Sequence, residues 1–224
     1  MNKIKDFKII KTLQQNGENA DVFLVENEND KFIIKRFNKV PKCNNAYGKE
    51  NHFGRRREGS ELVFNEIKKK SNQYDFLIKF YERFKWNNDW CILIEFFEGI
   101  TFREFINLNK NNTLDLIQGI KNFANEVSKW HKHNFSHGDP HLDNVLINKN
   151  LEIKLIDYSQ LHFPDFKYCK KYNCFTPNNR RINEDLIKTT SHFGRGFLKE
   201  LENINNQTNF DLDFKKIFLE NYKY

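Results

Sequence analysis

The side chains best suited to chemistry lie in His137-Gly138-Asp139-Pro140-His141-Leu142-Asp143-Asn144, with Asp157 following thirteen residues after Asn144. Asp139 and Asn144 stand five apart in a polar stretch after a helical pattern, and Asp157 ends the second of two short apolar runs. Three oxygen-bearing side chains arranged this way can hold a substrate hydroxyl and hard cations together. Mg2+ prefers oxygen ligands and commonly takes one or two carboxylates plus substrate phosphates. An Asp beside a hydroxyl can orient it and accept its proton as it attacks a phosphoryl group. Any one of these residues alone reads as a turn or cap residue. Their combined spacing is what carries weight. His131, His133, His137 and His141 fall within eleven residues, but they match neither HExxH nor a CxxC pattern, so zinc is not expected there. His131 and His133 read as the end of a helix and His137 as a residue packed under Asp139.

Positioning such a loop requires a scaffold, and the hydrophobic pattern supplies one in two halves. Strands are expected over DFKIIKTL, DVFLVE, KFIIKRF, FLIKFYERF and WCILIEFF. GSELVFNEIKKK has helical spacing at Leu62, Val63 and Ile67, whereas residues 41–57 read as loop. EGI after the last strand reads as a turn. From Thr101 helices take over: a short one marked by Phe102, Phe105 and Ile106, then a long one capped by Thr113 and running to Trp130. VLIN and EIKLID form a hairpin, and helical signals cover residues 184–198 and 214–222. Asp185 is a candidate brace for the backbone of the 137–144 loop.

Composition sets the outer limits. A chain of 224 residues fits one large domain or two small lobes. Only 38% of it is apolar, yet 23 Phe bring the aromatics to 15%, so rings supply the core volume and disorder is excluded. No apolar run reaches the ~18 residues a membrane span needs, and the first residues lack the apolar region of a signal peptide. Cys43, Cys91, Cys169 and Cys174 lack CxxC spacing, which fits a reduced, cytoplasmic protein with Cys91 as a small core residue. The net charge of +7 is concentrated: residues 31–70 hold twelve Lys and Arg against four Asp and Glu, leaving −1 for the rest. A field of that size suits a polyanionic partner or an anionic membrane surface. No nucleic-acid-binding motif accompanies it, so nucleic acid is not an expected partner.

HxDxxxxN followed by an apolar-Asp turn resembles the catalytic and metal-binding loops of the protein-kinase-like superfamily. The HGDxH form is closer to its small-molecule and sugar kinases than to protein kinases. That resemblance implies Asp139 as catalytic base, Asn144 and Asp157 as Mg2+ ligands, and His141 near the transferred phosphate, where protein kinases place a Lys. The turn reads Asp157-Tyr158-Ser159 in place of DFG, which speaks against a mobile Phe-Gly switch. Lys35 in FIIK fits the strand lysine that pairs with the ATP phosphates. Gln15 to Val22 overlays the glycine-rich GxGxxGxV pattern with only Gly17 kept as glycine and Val22 in its final place. A carboxylate partner for Lys35 is expected on the next helix, from Glu61, Glu66 or Glu58. The segment from Glu95 through Phe97 to Gly99 resembles the hinge whose backbone binds adenine.

HGDPHLDNVLINKNLEIKLIDYSQ, EFFEGI and KFIIKRF before a long basic connection are similar to the lipopolysaccharide core heptose kinases of Gram-negative bacteria. ELVF then falls on that family's helix, which favours Glu61. The resemblance implies an α+β, two-lobed protein-kinase-like fold, with a β-rich N-terminal lobe over 1–99 and a reduced α-rich C-terminal lobe over 100–224. It implies ATP and Mg2+ as cofactors, no metal other than magnesium or manganese, and a sugar or glycolipid acceptor, most simply an inner-core heptose. The enzyme would be cytoplasmic or peripheral at the inner face of the inner membrane. An aminoglycoside-type or protein kinase is the alternative within the superfamily, and a nucleotide-binding pseudokinase the non-catalytic one. Only 67 residues follow Asp157, and none form an APE-like motif. A small or membrane-lying acceptor fits that better than a docked protein.

Overall fold

A computed structural model describes residues 3–15, 20–28, 30–37, 60–158, 161–163, 185–186, 196–208 and 212–223. The chain divides into two compact units, Met1–Phe96 and Phe97–Tyr224. It is an α+β protein with a β-rich first unit and a mainly helical second one.

In the first unit, strands β1 (Lys3–Ile4), β2 (Phe7–Gln14), β3 (Asp21–Asn27), β4 (Asp30–Phe37), β5 (Phe80–Trp86) and β6 (Asp89–Glu95) form an antiparallel sheet in the order β1-β2-β3-β4-β6-β5. Period-two alternation places Phe23 and Val25 of β3 on one face, where they join Ile4, Phe7, Ile34, Phe84, Cys91 and Leu93 in a buried cluster. Cys91 through Ile94 are all buried, so β6 is covered on both faces. β5 and β6 close through a two-residue loop in which Asn87 and Asn88 have φ of 48° and 64°. That is the left-handed geometry a tight hairpin requires, and Asn tolerates it. β5 starts at Phe80, so Phe76–Lys79 of the expected strand lies outside it. Between β4 and β5 comes helix α1 (Glu61–Gln73), which packs on β5 and buries Val63, Phe64 and Ile67. The 4–3 spacing of its apolar residues makes that stripe.

The second unit opens with β7 (Ile100–Thr101), which pairs antiparallel with β8 (Val145–Ile147), itself paired with β9 (Ile153–Leu155). The EGI turn is therefore followed at once by a strand that anchors the 145–155 hairpin. A Cβ on Gly99 would stand 2.7 Å from the Ile147 carbonyl oxygen, so only glycine lets the chain pass that close. Thr101 then accepts from the Glu104 N–H and caps α2 (Phe102–Leu108). Helix α3 (Thr113–Lys132) is capped by Asn112, whose side chain accepts from Asp115 N–H, and not by Thr113 as expected. Asn outcompetes because its carbonyl reaches the third N–H while its own backbone stays outside the helix.

α4 (Phe197–Thr208) and α5 (Phe214–Asn221) complete the unit, with α5 packed on both α3 and α4. Of the helix expected over residues 184–198, Asp185 and Leu186 are described and helical, and Phe197 and Leu198 begin α4. The rest of that stretch lies outside the described residues. Phe123 is wholly buried, with ring centroids of Phe102, Phe197 and Phe218 at 5.0, 4.9 and 5.2 Å. One α3 ring thus joins α2, α4 and α5, and its removal would cost about 3–5 kcal/mol.

Candidate functional site

The 137–144 loop begins where α3 is made to stop. Asn134 adopts φ 58°, and its N–H donates to the His131 carbonyl (2.8 Å) while Phe135 N–H donates to that of Trp130 (2.9 Å). These two bonds close the helix with a left-handed residue, and Phe135 packs back on Trp130 at 6.1 Å between ring centroids. The chain leaves in an extended direction, and Ser136 exchanges two backbone hydrogen bonds with His162 (2.8 and 2.9 Å).

A buried carboxylate then fixes the next residues. Asp185, 1% exposed, accepts from the backbone N–H of His137 (2.7 Å) and Gly138 (2.9 Å). It also faces His131 Nε2 at 3.3 Å, whose Nδ1 lies 2.6 Å from the Tyr222 hydroxyl. Asp185 is thus the brace expected of it, and His131 supports that brace from α3. His137 packs beneath the loop as expected: its Nε2 donates to the Ile156 carbonyl (2.7 Å), which leaves Nδ1 to accept from Asp139 N–H (3.4 Å). Gly138 turns the chain with φ 78°, a conformation in which a side chain would be strained.

Asn144 ties the three expected chemical residues together. It is buried in a 3-10 turn (Leu142–Asn144), and its Nδ2 donates to the Asp139 carbonyl at 3.0 Å. Its own backbone carbonyl accepts from Ile156 N–H at 2.9 Å, one residue before Asp157. The amide Oδ1 is left as a hard oxygen donor. Asp157 leaves β9 with φ 63°, a left-handed conformation uncommon for a residue with a side chain. Such an outlier costs of order 1–3 kcal/mol and is typical of functional turns. Asp139 and His141 project from the same loop, with His141 Nε2 3.8 Å from Asp139 Oδ2 and His141 Nδ1 3.6 Å from Asp143 Oδ2.

Arg103, Asp143 and Glu200 belong to this site too, and the sequence analysis did not single them out. Arg103 Nε on α2 donates to both oxygens of Asp143 (2.9 and 3.1 Å), while Nη2 donates to Glu200 on α4. Burial alone would lower the Arg103 pKa, but the two carboxylates outweigh it and hold the guanidinium above its ordinary value. An Arg and an Asp forty residues apart leave no local sequence pattern by which to find them.

The first unit carries the other expected residues. Val22 and Lys35 face each other across β3 and β4, and Lys35 stands opposite Ile92 of β6. Beside them Asp21, 1% exposed, pairs with Arg36 at 2.6 Å in the same register. Glu61, in the first turn of α1, is exposed and lies 4.0 Å from Arg83, while Glu66 is half-buried one turn further along. Glu95 ends β6, where its N–H donates to the Lys79 carbonyl and its carboxylate accepts from Lys79 N–H, both at 2.9 Å. Phe97, half-buried, opens the second unit. Gly17, Glu58 and Ser159 lie outside the described residues, as do Arg55, Arg56 and Arg57.

Among the described residues no group of three or more His, Cys, Asp and Glu side chains forms a metal cage, the neighbourhood of His131 and His137 included. A cation at Asn144 and Asp157 would complete its shell with phosphate and water oxygens, the usual arrangement for Mg2+. Among the described residues no helix is long and apolar enough to cross a membrane. Compared with known families, residues 3–170 match the family model described as lipopolysaccharide core biosynthesis protein (WaaY).

Proposed function

The chain belongs to the WaaY family of lipopolysaccharide core biosynthesis proteins, the core heptose kinase family that its motifs resemble, and from that premise we propose that it is an ATP-dependent kinase acting on an inner-core heptose. The observation that carries the reading is the double tether of Asn144, side chain to the Asp139 carbonyl and carbonyl to Ile156 N–H. It holds a candidate base and a candidate metal turn in one fixed relation.

Asp139 is the base. It orients the acceptor hydroxyl and takes its proton as the oxygen bonds to the γ-phosphorus. The bond from the γ-phosphorus to the β–γ bridging oxygen breaks, and ADP leaves. Asn144, through Oδ1, and Asp157, through its carboxylate, would hold Mg2+, which would supply charge neutralisation on the triphosphate. Lys35, opposite Val22 in the β3–β4 register, pairs with the phosphates, Gly17 is a further phosphate contact, and the carboxylate partner of Lys35 on α1 is Glu61. His141 stands beside Asp139 near the transferred group. Adenine contacts fall to the backbone of the segment from Glu95 to Phe97, where Lys79 already engages the Glu95 N–H. The excess of basic residues over 31–70 draws the enzyme to the anionic cytoplasmic face of the membrane that holds its acceptor.

The test is a panel of acceptors offered with labelled ATP and Mg2+: truncated lipopolysaccharide cores with and without heptose, an aminoglycoside, and a generic protein substrate. Label in the heptose-bearing cores alone is the expected result. Label in the aminoglycoside or the protein, with none in the cores, would overturn the acceptor assignment.

A further inference from the structure

A chain of acidic and nitrogen-bearing side chains runs from helix α4 into the loop: Glu200, Arg103, Asp143, His141, Asp139. The Arg103 links are hydrogen bonds, and the two His141 contacts are longer approaches. Arg103 reaches Glu200 with one nitrogen and both oxygens of Asp143 with another, at 2.9 and 3.1 Å. Asp143 Oδ2 lies 3.6 Å from one nitrogen of the His141 ring, and Asp139 Oδ2 lies 3.8 Å from the other. The Glu200 side chain is only 9% exposed, and the Arg103 fork spans carboxylates from two elements. This differs from an isolated surface pair, whose contribution is small because solvent screens it and both side chains remain free to move. A guanidinium that shares its single Nε–H between both oxygens of one carboxylate and donates from Nη2 to another is held at both ends, and it holds Asp143 in one orientation.

The geometry points to Arg103 as a positioning residue that acts through Asp143 to fix the His141 ring beside the Asp139 carboxylate. The partners of Arg103 are Asp143 and Glu200, and it acts on Asp139 only through them, as a positioning and not a catalytic residue. Its effect on turnover rests on the kinase reading above, but its effect on the ring does not. Glu200 lies beyond residue 170, outside the stretch matched by the family model, so the anchor of this chain comes from a part of the sequence the family pattern does not cover. The bland alternative is that Arg103 only staples α2 to α4, in which case it would stabilise the fold and leave His141 untouched.

The two alternatives separate in a set of full-length variants: Arg103→Gln, Asp143→Asn, His141→Gln and the double variant Arg103→Gln/His141→Gln. Ring nitrogen signals of His141, recorded by NMR at one fixed pH without nucleotide, should move in Arg103→Gln and in Asp143→Asn. Turnover should fall about tenfold in Arg103→Gln, the scale typical of outer partners of a site residue. The KM for ATP should stay within about twofold, since no uniform binding contact is lost. In the His141→Gln background the Arg103 substitution should cost nothing more, because the path it acts through is already gone. Unchanged His141 ring signals in folded Arg103→Gln, or a full further loss in the double variant, would overturn the assignment. If Arg103→Gln does not fold, Asp143→Asn decides by the same signals, because it leaves the Arg103–Glu200 pair in place. A wild type that transfers no phosphate to any acceptor would defeat the kinase reading alone, and the ring signals would still test the positioning role.

Discussion

At the residue scale, identity predicts role best where a side chain has one partner it cannot do without. Lys35→Ala should lower kcat strongly, and Glu61→Ala should mimic it if the two act as a unit. Full activity in Glu61→Ala with loss in Glu66→Ala would move the pairing one helical turn along α1; unaffected turnover in Lys35→Ala would count against the kinase reading itself. Cys91 offers a test independent of activity. Burial pushes its thiol up to about 12, the nearby Arg36 offsetting only part of that. The folded state therefore keeps the proton that the unfolded chain loses near pH 8.5. Stability from this site is complete below that value and is lost as pH rises toward 12. Alkylation of the Cys91 peptide at pH 8, followed by mass spectrometry, should be negligible in the native protein and fast in denaturant. Equal rates in the two would show that the strand is open. Asp139, Asn144 and Asp157 were legible because their chemistry and spacing are local. Arg103 was not, because its meaning depends on Asp143 and Glu200, which only the fold brings near.

At the element scale, the loop holds its shape because three separate pieces of chain meet its backbone: Asp185, the 162 bridge and the Ile156 N–H. Removing the Asp185 carboxylate would take the acceptor from the buried His137 N–H, at a cost of about 1–3 kcal/mol, and from the half-buried Gly138 N–H. Asp185→Ala should lower the melting temperature and, even at temperatures where it stays folded, reduce kcat more than the KM for ATP. A folded variant with wild-type kcat would show that the loop keeps its geometry without the brace. The strands and helices were legible from period-two and 3–4 spacing, and the 145–155 hairpin from its two short apolar runs. Boundaries were less so. Thr113 and Asn112 are both good caps by type, and the choice between them depends on where the chain enters α3. β7 is two residues long, too short for any periodicity to show, and it exists only because β8 offers it an edge.

At the scale of the whole molecule, basic residues crowd the sequence over 31–70, and Asp139, Asn144 and Asp157 all lie in the second unit. If the acceptor is a phosphate-bearing glycolipid at an anionic leaflet, replacing Arg55, Arg56 and Arg57 by Gln should weaken vesicle binding, each charge being worth about 1 kcal/mol. The KM for the lipid acceptor should rise while that for ATP stays put, and salt should erase most of the difference. Vesicle binding and acceptor KM equal to wild type at low salt would leave the cluster an ordinary solvated surface. The change from a β-rich to a mainly helical part was legible near residue 100, and the family in the loop motif. The proposed acceptor rests only on that family, since one phosphoryl-transfer site serves many hydroxyls. The central claim is that the two Asn144 tethers hold base and metal turn in separate roles on one frame. Its most direct test is calorimetric titration of Mg-ATP into Asp139→Asn and Asp157→Ala, alongside phosphate transfer to a heptose-bearing core. The account predicts that both variants lose transfer, by at least about a hundredfold, while only Asp157→Ala loses Mg-ATP binding. Asp139→Asn losing the nucleotide as badly as Asp157→Ala, or retaining wild-type transfer, would contradict it.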